Sequence, residues 1–309
     1  MEINYKKLIK GEIMKKHAYL IMAHNNFYIL EKLLKSIDYE LNDIYIHVDK
    51  KVKNFDFNYF NKIANKSNVY FINRFNVRWG GYSIVEAELE LLNQAIKGGY
   101  EYYHIISGVD LPLKSQEYIH KFFNANRGKE FINTEKVEST AWRDIEIKNR
   151  VKLYHFLNNI VNLRSKNRII IFLRKIQDKL INLQVKLHVD RYKADIWYGS
   201  NWCSITNECA KYLLGNIDKI KKDYKYTHAS DELFIQNIIA ENTKLMNNIY
   251  NWEKDSNMRL IDWNRGNPYV FKSSDFEELI KSDMLFARKF DCSVDKEIID
   301  KIYSFINNN

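Results

Sequence analysis

Proline and glycine are scarce in this chain, 2 and 10 among 309 residues. That excludes a Pro- or Gly-rich linker and a low-complexity tail, and no internal repeat is visible. Three cysteines, Cys203, Cys209 and Cys292, are too few for a disulfide framework and show no CxxC spacing. A reducing cytoplasm is therefore the expected home. The longest apolar runs, residues 18–23 and 169–173, fall far short of the roughly 20 residues that cross a bilayer. Signal-peptide character is missing from the start. Residues 1–13 look unlike the rest of the chain, and Met14-Lys15-Lys16 reads as a start, so that leader is set aside. The chain also lacks GxGxxG after its first strand, GxxxxGK[ST], HExxH, GxSxG and any Asp-x-Asp. These absences weaken dinucleotide, P-loop, zinc-protease and α/β-hydrolase readings. No zinc-finger spacing, RNP-like motif or helix-turn-helix is present, so nucleic acid is not an expected partner. No metal or cofactor is expected.

What the chain has in quantity is apolar and aromatic residues: 46% hydrophobic, with 21 Tyr, 17 Phe and 6 Trp. That suffices for a full core, in one large domain or two small ones. The net charge of +9 is unevenly spread, because residues 151–193 hold ten Lys or Arg against Asp178 and Asp190 alone. Within that segment Ile169, Leu173, Ile176, Leu180, Leu183 and Leu187 recur at steps of four and three, the spacing of one helical stripe. A basic remainder beside an apolar stripe suits a helix packed on the core with a solvated face. It also suits a helix resting on an anionic membrane surface.

The first half alternates strand and helix patterns. Strands are expected at 19–22, 44–48, 69–72 and 102–106. Helices are expected through Leu30, Leu33, Leu34 and Ile37, near 57–66, and over about 83–96. The alternation predicts a mainly parallel, Rossmann-like sheet covered by helices on both faces. Ligands of such sheets sit beyond the carboxyl ends of the strands. Three short motifs fall there: Ala23-His24-Asn25-Asn26, His47-Val48-Asp49-Lys50-Lys51 and Ser107-Gly108-Val109-Asp110-Leu111-Pro112.

Asp49 could accept hydrogen bonds from a ribose or a uracil, although Asp also caps turns. Asp110 follows a glycine that permits close backbone approach. His24 and His47 lack partners at metal-ligand spacing, and a structural histidine accounts for either. His24 is kept with the donor site for its place at a strand end. Trp79, in Trp79-Gly80-Gly81-Tyr82, offers a ring on which a base or sugar could stack, or a core filler. Ser230-Asp231-Glu232-Leu233-Phe234 puts two carboxylates at the start of an apolar helix, and Phe286-Ala287-Arg288-Lys289-Phe290-Asp291 sets two cations between aromatics. With no Asp-x-Asp to hold a metal on a diphosphate, Arg288, Lys289 and the upstream Arg265 would have to neutralise the leaving group.

In order, HVDKK, the Trp-Gly-Gly-Tyr block before a long helix, YYHIISGVDLPLKS, GSNWCSIT, SDELF and FARKFD resemble the core-2/I-branching glycosyltransferase family. That family holds the branching β-1,6-N-acetylglucosaminyltransferases and the peptide xylosyltransferases. The likeness runs from about residue 18 to 309. It implies a GT-A-like α/β fold, an inverting and metal-independent transfer, and a UDP-sugar donor, with N-acetylglucosamine the first choice of sugar and xylose or glucose the alternatives. It also implies that Glu232 matches the catalytic base, that Lys289 with Arg288 grips the diphosphate, and that Arg265 is the nearest match to a second phosphate-binding arginine. Asp49 would meet the uridine, Asp110 the donor sugar region, and Trp202 a wall of the acceptor site. Glu135 and Arg150 are looser acceptor contacts. Trp79 stands where the animal enzymes carry a tyrosine. On this reading residues 14–309 form one catalytic domain, and 151–193 is a basic helical insertion without a clear family counterpart.

The animal members are disulfide-rich and membrane-anchored, and this chain shows neither feature. Its Asn-, Ile- and Lys-rich composition suits a bacterial cytoplasmic enzyme that builds a surface glycan on a glycan or glycolipid acceptor. A glycan-binding protein without turnover is the other class considered. Possession of both Glu232 and Lys289 argues against it.

Overall fold

A computed structural model describes residues 14–161, 165–252 and 255–308; the leader, residues 1–13, lies outside them. In chain order the elements are β1 (His17–Ala23), α1 (Phe27–Ser36), β2 (Asn42–Val48), α2 (Phe57–Asn61), β3 (Asn68–Phe71), α3 (Ser83–Ala95) and β4 (Tyr102–Ser107). Then come β5 (Leu111–Pro112), α4 (Gln116–Ala125), β6 (Glu135–Lys136), α5 (Trp142–Lys152), α6 (Arg168–Lys186), β7 (Trp197–Tyr198), β8 (Ser204–Thr206), α7 (Asn207–Gly215) and α8 (Ile217–Tyr224). A 3-10 turn at Ser230–Glu232 leads to α9 (Phe234–Ala240), α10 (Thr243–Asn247), β9 (Arg259–Ile261), α11 (Phe276–Lys281), β10 (Phe286–Arg288) and α12 (Lys296–Asn308).

The main sheet runs β3-β2-β1-β4-β8, parallel except for the edge strand β8. Residues of β1, β2 and β4 are all buried, as both faces of a parallel sheet must be. Successive side chains of β1 go to opposite faces. Ala18, Leu20 and Met22 join a core with α3, α7 and α9, whereas Tyr19, Ile21 and Ala23 join one with α1, α4 and α12. The Rossmann-like expectation holds. Strand order places the topological switch between β1 and β4, since the chain leaves β1 toward β2 and β3 and returns on the other side. A smaller sheet, β5-β10-β9, and a ribbon, β6-β7, stand beside it.

Two local differences from the sequence expectations have physical causes. Helix α2 ends at Asn61 rather than near 66, and the Asp38 carboxylate takes the N–H groups of Asn65, Lys66 and Ser67 at 2.7, 2.9 and 2.8 Å. That carboxylate offers the backbone an alternative to helix. The larger departure is α6, whose stripe does not pack on the core. Of its residues only Gln177 is buried; of the expected stripe, Leu173 and Ile176 are half-buried, while Ile169, Leu180, Leu183 and Leu187 (just past the helix end) are 41–69% exposed. Among the described residues no helix is long and apolar enough to cross a membrane.

Three histidines lie deep under the sheet. His17 shares a hydrogen bond with His104 at 3.0 Å and stacks on His120, His104 reaches Ser204 at 2.7 Å, and His120 reaches Asn42 at 2.8 Å. Burial depresses all three, His120 to about 4. In the unfolded chain they would take protons near pH 6.5. Stability is therefore fully present above that pH and falls as pH drops toward the folded values, by up to about 1.4 kcal/mol per pH unit for each ring. Urea midpoints should decline steeply between pH 6.5 and 4.5, and His120→Gln should flatten the slope. A flat profile in the wild type would contradict this.

Candidate active site

The carboxyl ends of β1, β2 and β4 converge through backbone contacts. Asp49 N–H donates to Ala23 O at 2.9 Å, and Gly108 N–H to Met22 O at 2.8 Å. A Cβ at Gly108 would sit 3.1 Å from that of Ala23, a tight approach at this crossing. Asp49 is buried. One carboxylate oxygen accepts from Lys51 N–H at 2.9 Å and the other faces Lys51 Nζ at 3.2 Å. It thus shapes its own turn, with Arg74 holding the Val48 and Asp49 carbonyls from behind. His24 stands open to solvent on one side, yet lost hydration on the other depresses its pKa. Asp49 opposes that shift, and Arg288, Lys51 and Lys289 reinforce it. His47 is structural, its Nε2 accepting from Phe75 N–H at 2.9 Å.

Asp110 meets Arg288 across the gap between the two sheets. The pair closes at 2.8 Å, with Asp110 1% and Arg288 19% exposed, and Ser107 N–H donates to the other carboxylate oxygen. Burial raises the Asp110 pKa while Arg288 pulls it back. Trp202 covers the guanidinium of Arg288 at 4.5 Å. Lys289 follows, and among the described residues it makes no ion pair. One cation is thus committed to an internal carboxylate and the next is available to a ligand.

Arg265 is differently placed. Its guanidinium is held by Asp262, by Asp275 at 2.7 Å and by Glu278 at 2.9 Å, and it lies over the Tyr269 ring at 4.3 Å. Three carboxylates already saturate this cation. Arg265→Ala should leave nucleotide affinity within about threefold, while repulsion among the orphaned carboxylates costs on the order of 1 kcal/mol. Calorimetry and urea melts read the two separately. A tenfold loss of affinity would place Arg265 in the site instead.

Glu232 ends the 3-10 turn, with Leu233 between it and α9, so it is not in the first turn of that helix. Ser230 makes no cap, its hydroxyl being buried and without a partner among the described residues. The charge of Glu232 is met by Arg150, whose Nη1 donates to Oε2 at 2.8 Å. Tyr198 packs against both, its hydroxyl pushed up to about 12 by burial and then by the Glu232 charge. Strand β7 brings Tyr198 beside Glu135 of β6, which itself pairs with Arg143 at 2.9 Å. Glu135, Arg150 and Glu232 are therefore neighbours on one wall. Trp79 approaches from α3's leading turn. It meets His228 edge-on at 5.5 Å, and Gly80 O accepts from Ala229 N–H. Gly80 has a φ of 73° and a Cβ there would strike the His228 ring, so only glycine fits.

The loop from Gly199 to Trp202 joins the two halves. Gly199 N–H donates to Glu232 O at 3.0 Å, while Trp202 lies on Arg288. A Cβ at Gly199 would fall 1.9 Å from Asn133 O, leaving no room for any other residue. Asn201 in the same loop donates to Glu88 of α3 at 3.1 Å. Burial holds the Glu88 carboxyl well above the usual range, and burial with the adjacent Glu232 charge also raises Asp231.

Sequence reasoning missed Tyr198, Glu88 and Arg259. The neighbouring Gly-Ser-Asn-Trp motif signals Tyr198. Glu88 reads as an ordinary surface residue of a helix, and Arg259 as one of many cations. In fact Arg259 is buried in β9, donating to Cys203 O and Ser204 Oγ at 2.9 and 2.8 Å and lying over Phe286. It braces the junction of the two sheets. A surface hollow of about 910 Å³, lined by Phe276, Lys296 and Phe305 among others, shares no residue with this site.

The Core-2/I-Branching enzyme model matches residues 17–284. Human xylosyltransferase 2 is 23% identical over 305 residues, covering 92% of this chain and 33% of the relative. Mouse xylosyltransferase 1 is 22% identical over 329 residues, covering 94% and 30%. The chain thus spans about a third of the length of the curated relatives it matches. Among solved structures, the apo form of mouse xyloside xylosyltransferase 1 aligns at 9% identity over 91% of this chain and 99% of that one, with a TM-score of 0.37.

Proposed function

The chain belongs to the Core-2/I-Branching enzyme family, and on that premise we propose that it is an inverting, metal-independent glycosyltransferase moving a sugar from a UDP-sugar to a glycan hydroxyl. The observation that carries the reading is the loop 199–202, which ties a solvent-reachable carboxylate, Glu232, to the Arg288–Lys289 cations. A single displacement needs those two things on opposite sides of an anomeric carbon. Glu232 takes the proton of the acceptor hydroxyl. The acceptor oxygen bonds to the anomeric carbon as the bond from that carbon to the diphosphate oxygen breaks, inverting the centre. UDP leaves with its new charge facing Lys289, and Arg288 adds a cationic field partly offset by its own partner Asp110. Arg150 holds the Glu232 carboxylate in place through its 2.8 Å contact.

Asp49 and His24, just past the carboxyl ends of β2 and β1, line the nucleotide end, and Trp79, Trp202, Glu135 and Arg150 line the acceptor end. The missing Asp-x-Asp together with these cations supports metal independence. N-acetylglucosamine is the first reading of the sugar. Xylose is the second, favoured by the names of the matched relatives. Within a cell the enzyme would work from the cytoplasm on a surface glycan, residues 14–309 acting as one catalytic domain.

Thermal stability screened against UDP, UDP-N-acetylglucosamine, UDP-xylose, UDP-glucose and other nucleotide sugars, with EDTA throughout, tests this. A ligand at ~100 times its dissociation constant adds about 2.7 kcal/mol. Stabilisation by UDP species names the donor; no response to any nucleotide from folded protein sinks the proposal and favours a glycan-binding protein.

A further inference from the structure

Two glutamines tie helix α6 to the body. Gln177 accepts from Leu157 N–H at 3.0 Å and donates to Asn158 at 2.9 Å, and Gln184 brackets Tyr154 through both its N–H and its carbonyl. Ile169, Phe172, Leu183 and Leu187, at three-, four- and seven-residue steps or their sums, form a line that turns away from the body and remains 69, 62, 50 and 66% exposed. Soluble surfaces rarely leave so continuous an apolar line uncovered. Along its outer flank run Arg168, Lys175, Lys179 and Lys186, spaced at seven, four and seven, with Asp178 the helix's lone acid. Trp142 and Ile145 of α5 are also exposed, at 78 and 45%, and lie by Ile181 on the other side of α6.

A cleft of about 250 Å³ lies there, lined by Trp142, Ile145, Arg150, His155, Ile181 and His228. One of its walls, Arg150, is the residue that holds Glu232. The cleft meets α6 at Ile181, on the side of the helix opposite the exposed line.

We propose that the apolar line of α6, flanked by its basic residues, is a docking surface for an anionic lipid bilayer. An apolar stripe beside a basic one is the pattern of a helix lying in the headgroup plane. The basic flank selects the anionic bilayer over a second copy of this chain, which carries the same positive charge on that face. The docking does not rest on the transferase reading.

Sedimentation with vesicles of 30% phosphatidylglycerol in phosphatidylcholine, against pure phosphatidylcholine, tests the proposal. The full chain should sediment with the anionic vesicles at low salt and release in 0.5 M NaCl. Ile169→Ser/Phe172→Ser/Leu183→Ser should lose at least tenfold in partitioning with its melting curve unchanged, because those side chains are already exposed. Lys175→Gln, Lys179→Gln and Lys186→Gln should each cost about fivefold. No anionic-vesicle binding by the wild type, or undiminished binding by the serine variant, overturns the proposal. So does a wild-type dimer by analytical ultracentrifugation that the serine variant dissociates while neither binds vesicles. Vesicle binding without any thermal response to UDP would defeat the transferase reading and leave the docking surface standing.

Discussion

Glu232→Gln should lose about two to four orders of magnitude in transfer rate while binding UDP as the wild type does. Glutamine keeps the length of the side chain and an oxygen for Arg150, so the wall of the site survives. What it cannot do is accept the acceptor's proton. The rival base is the adjacent Asp231, but burial and the Glu232 charge push its pKa up, and Glu88 beyond it adds no counter-charge. Of the three neighbouring carboxylates Glu88, Asp231 and Glu232, Glu232 is the one with a cation in ion-pair contact, its side chain 31% exposed beside Arg150. Asp231→Asn should accordingly cost far less than Glu232→Gln. Steady-state rates for both variants, with the UDP-induced thermal shift as the folding control, decide it. A Gln variant retaining more than about a tenth of wild-type turnover would move the base to another residue.

Arg288→Met should destabilise the fold by about 3–5 kcal/mol, a large fraction of the stability of an ordinary domain. Asp110 would then sit 1% exposed with Ser107 N–H as its remaining close donor. Breaking a buried pair on one side costs more than removing both charges. Asp110→Asn/Arg288→Met should therefore recover part of the loss. The pH dependence has a definite sign. In the single variant the folded pKa of Asp110, already raised by burial, rises further above its unfolded value. Its contribution to stability is then present at low pH and lost as pH increases through the folded value. Urea denaturation at pH 5 and pH 8 should show Arg288→Met relatively weaker at pH 8. Equal losses at both would mean that water or a neighbouring group replaces the guanidinium.

The sheet was legible because its strands are short apolar runs bounded by turns, and because His24, Asp49 and Asp110 each follow one of them. Strand order then makes the gap between β1 and β4 the natural place for a ligand. Features decided by tertiary partners were harder to read. The periodicity of α6 announces an apolar stripe but not which way it turns; that depends on Gln177 and Gln184 finding Tyr154, Leu157 and Asn158. Glu232 looked like the first turn of a helix, whereas Leu233 interrupts it and Arg150, 82 residues away in sequence, supplies the balancing charge. Arg265 resembled a phosphate ligand by position, and only the fold brings Asp262, Asp275 and Glu278 around it. Spacing along a chain specifies faces and caps. It does not specify which distant charge will be met.

The central claim is that side-chain cations, not a metal, hold a nucleoside diphosphate at the end of β10. Calorimetric titration of UDP into the wild type and Lys289→Ala, each with EDTA and with excess Mg²⁺, tests it most directly. The account predicts one wild-type affinity in both buffers and a loss of at least tenfold in Lys289→Ala that Mg²⁺ does not restore. Binding that appears only with Mg²⁺, or that is indifferent to Lys289, would contradict it.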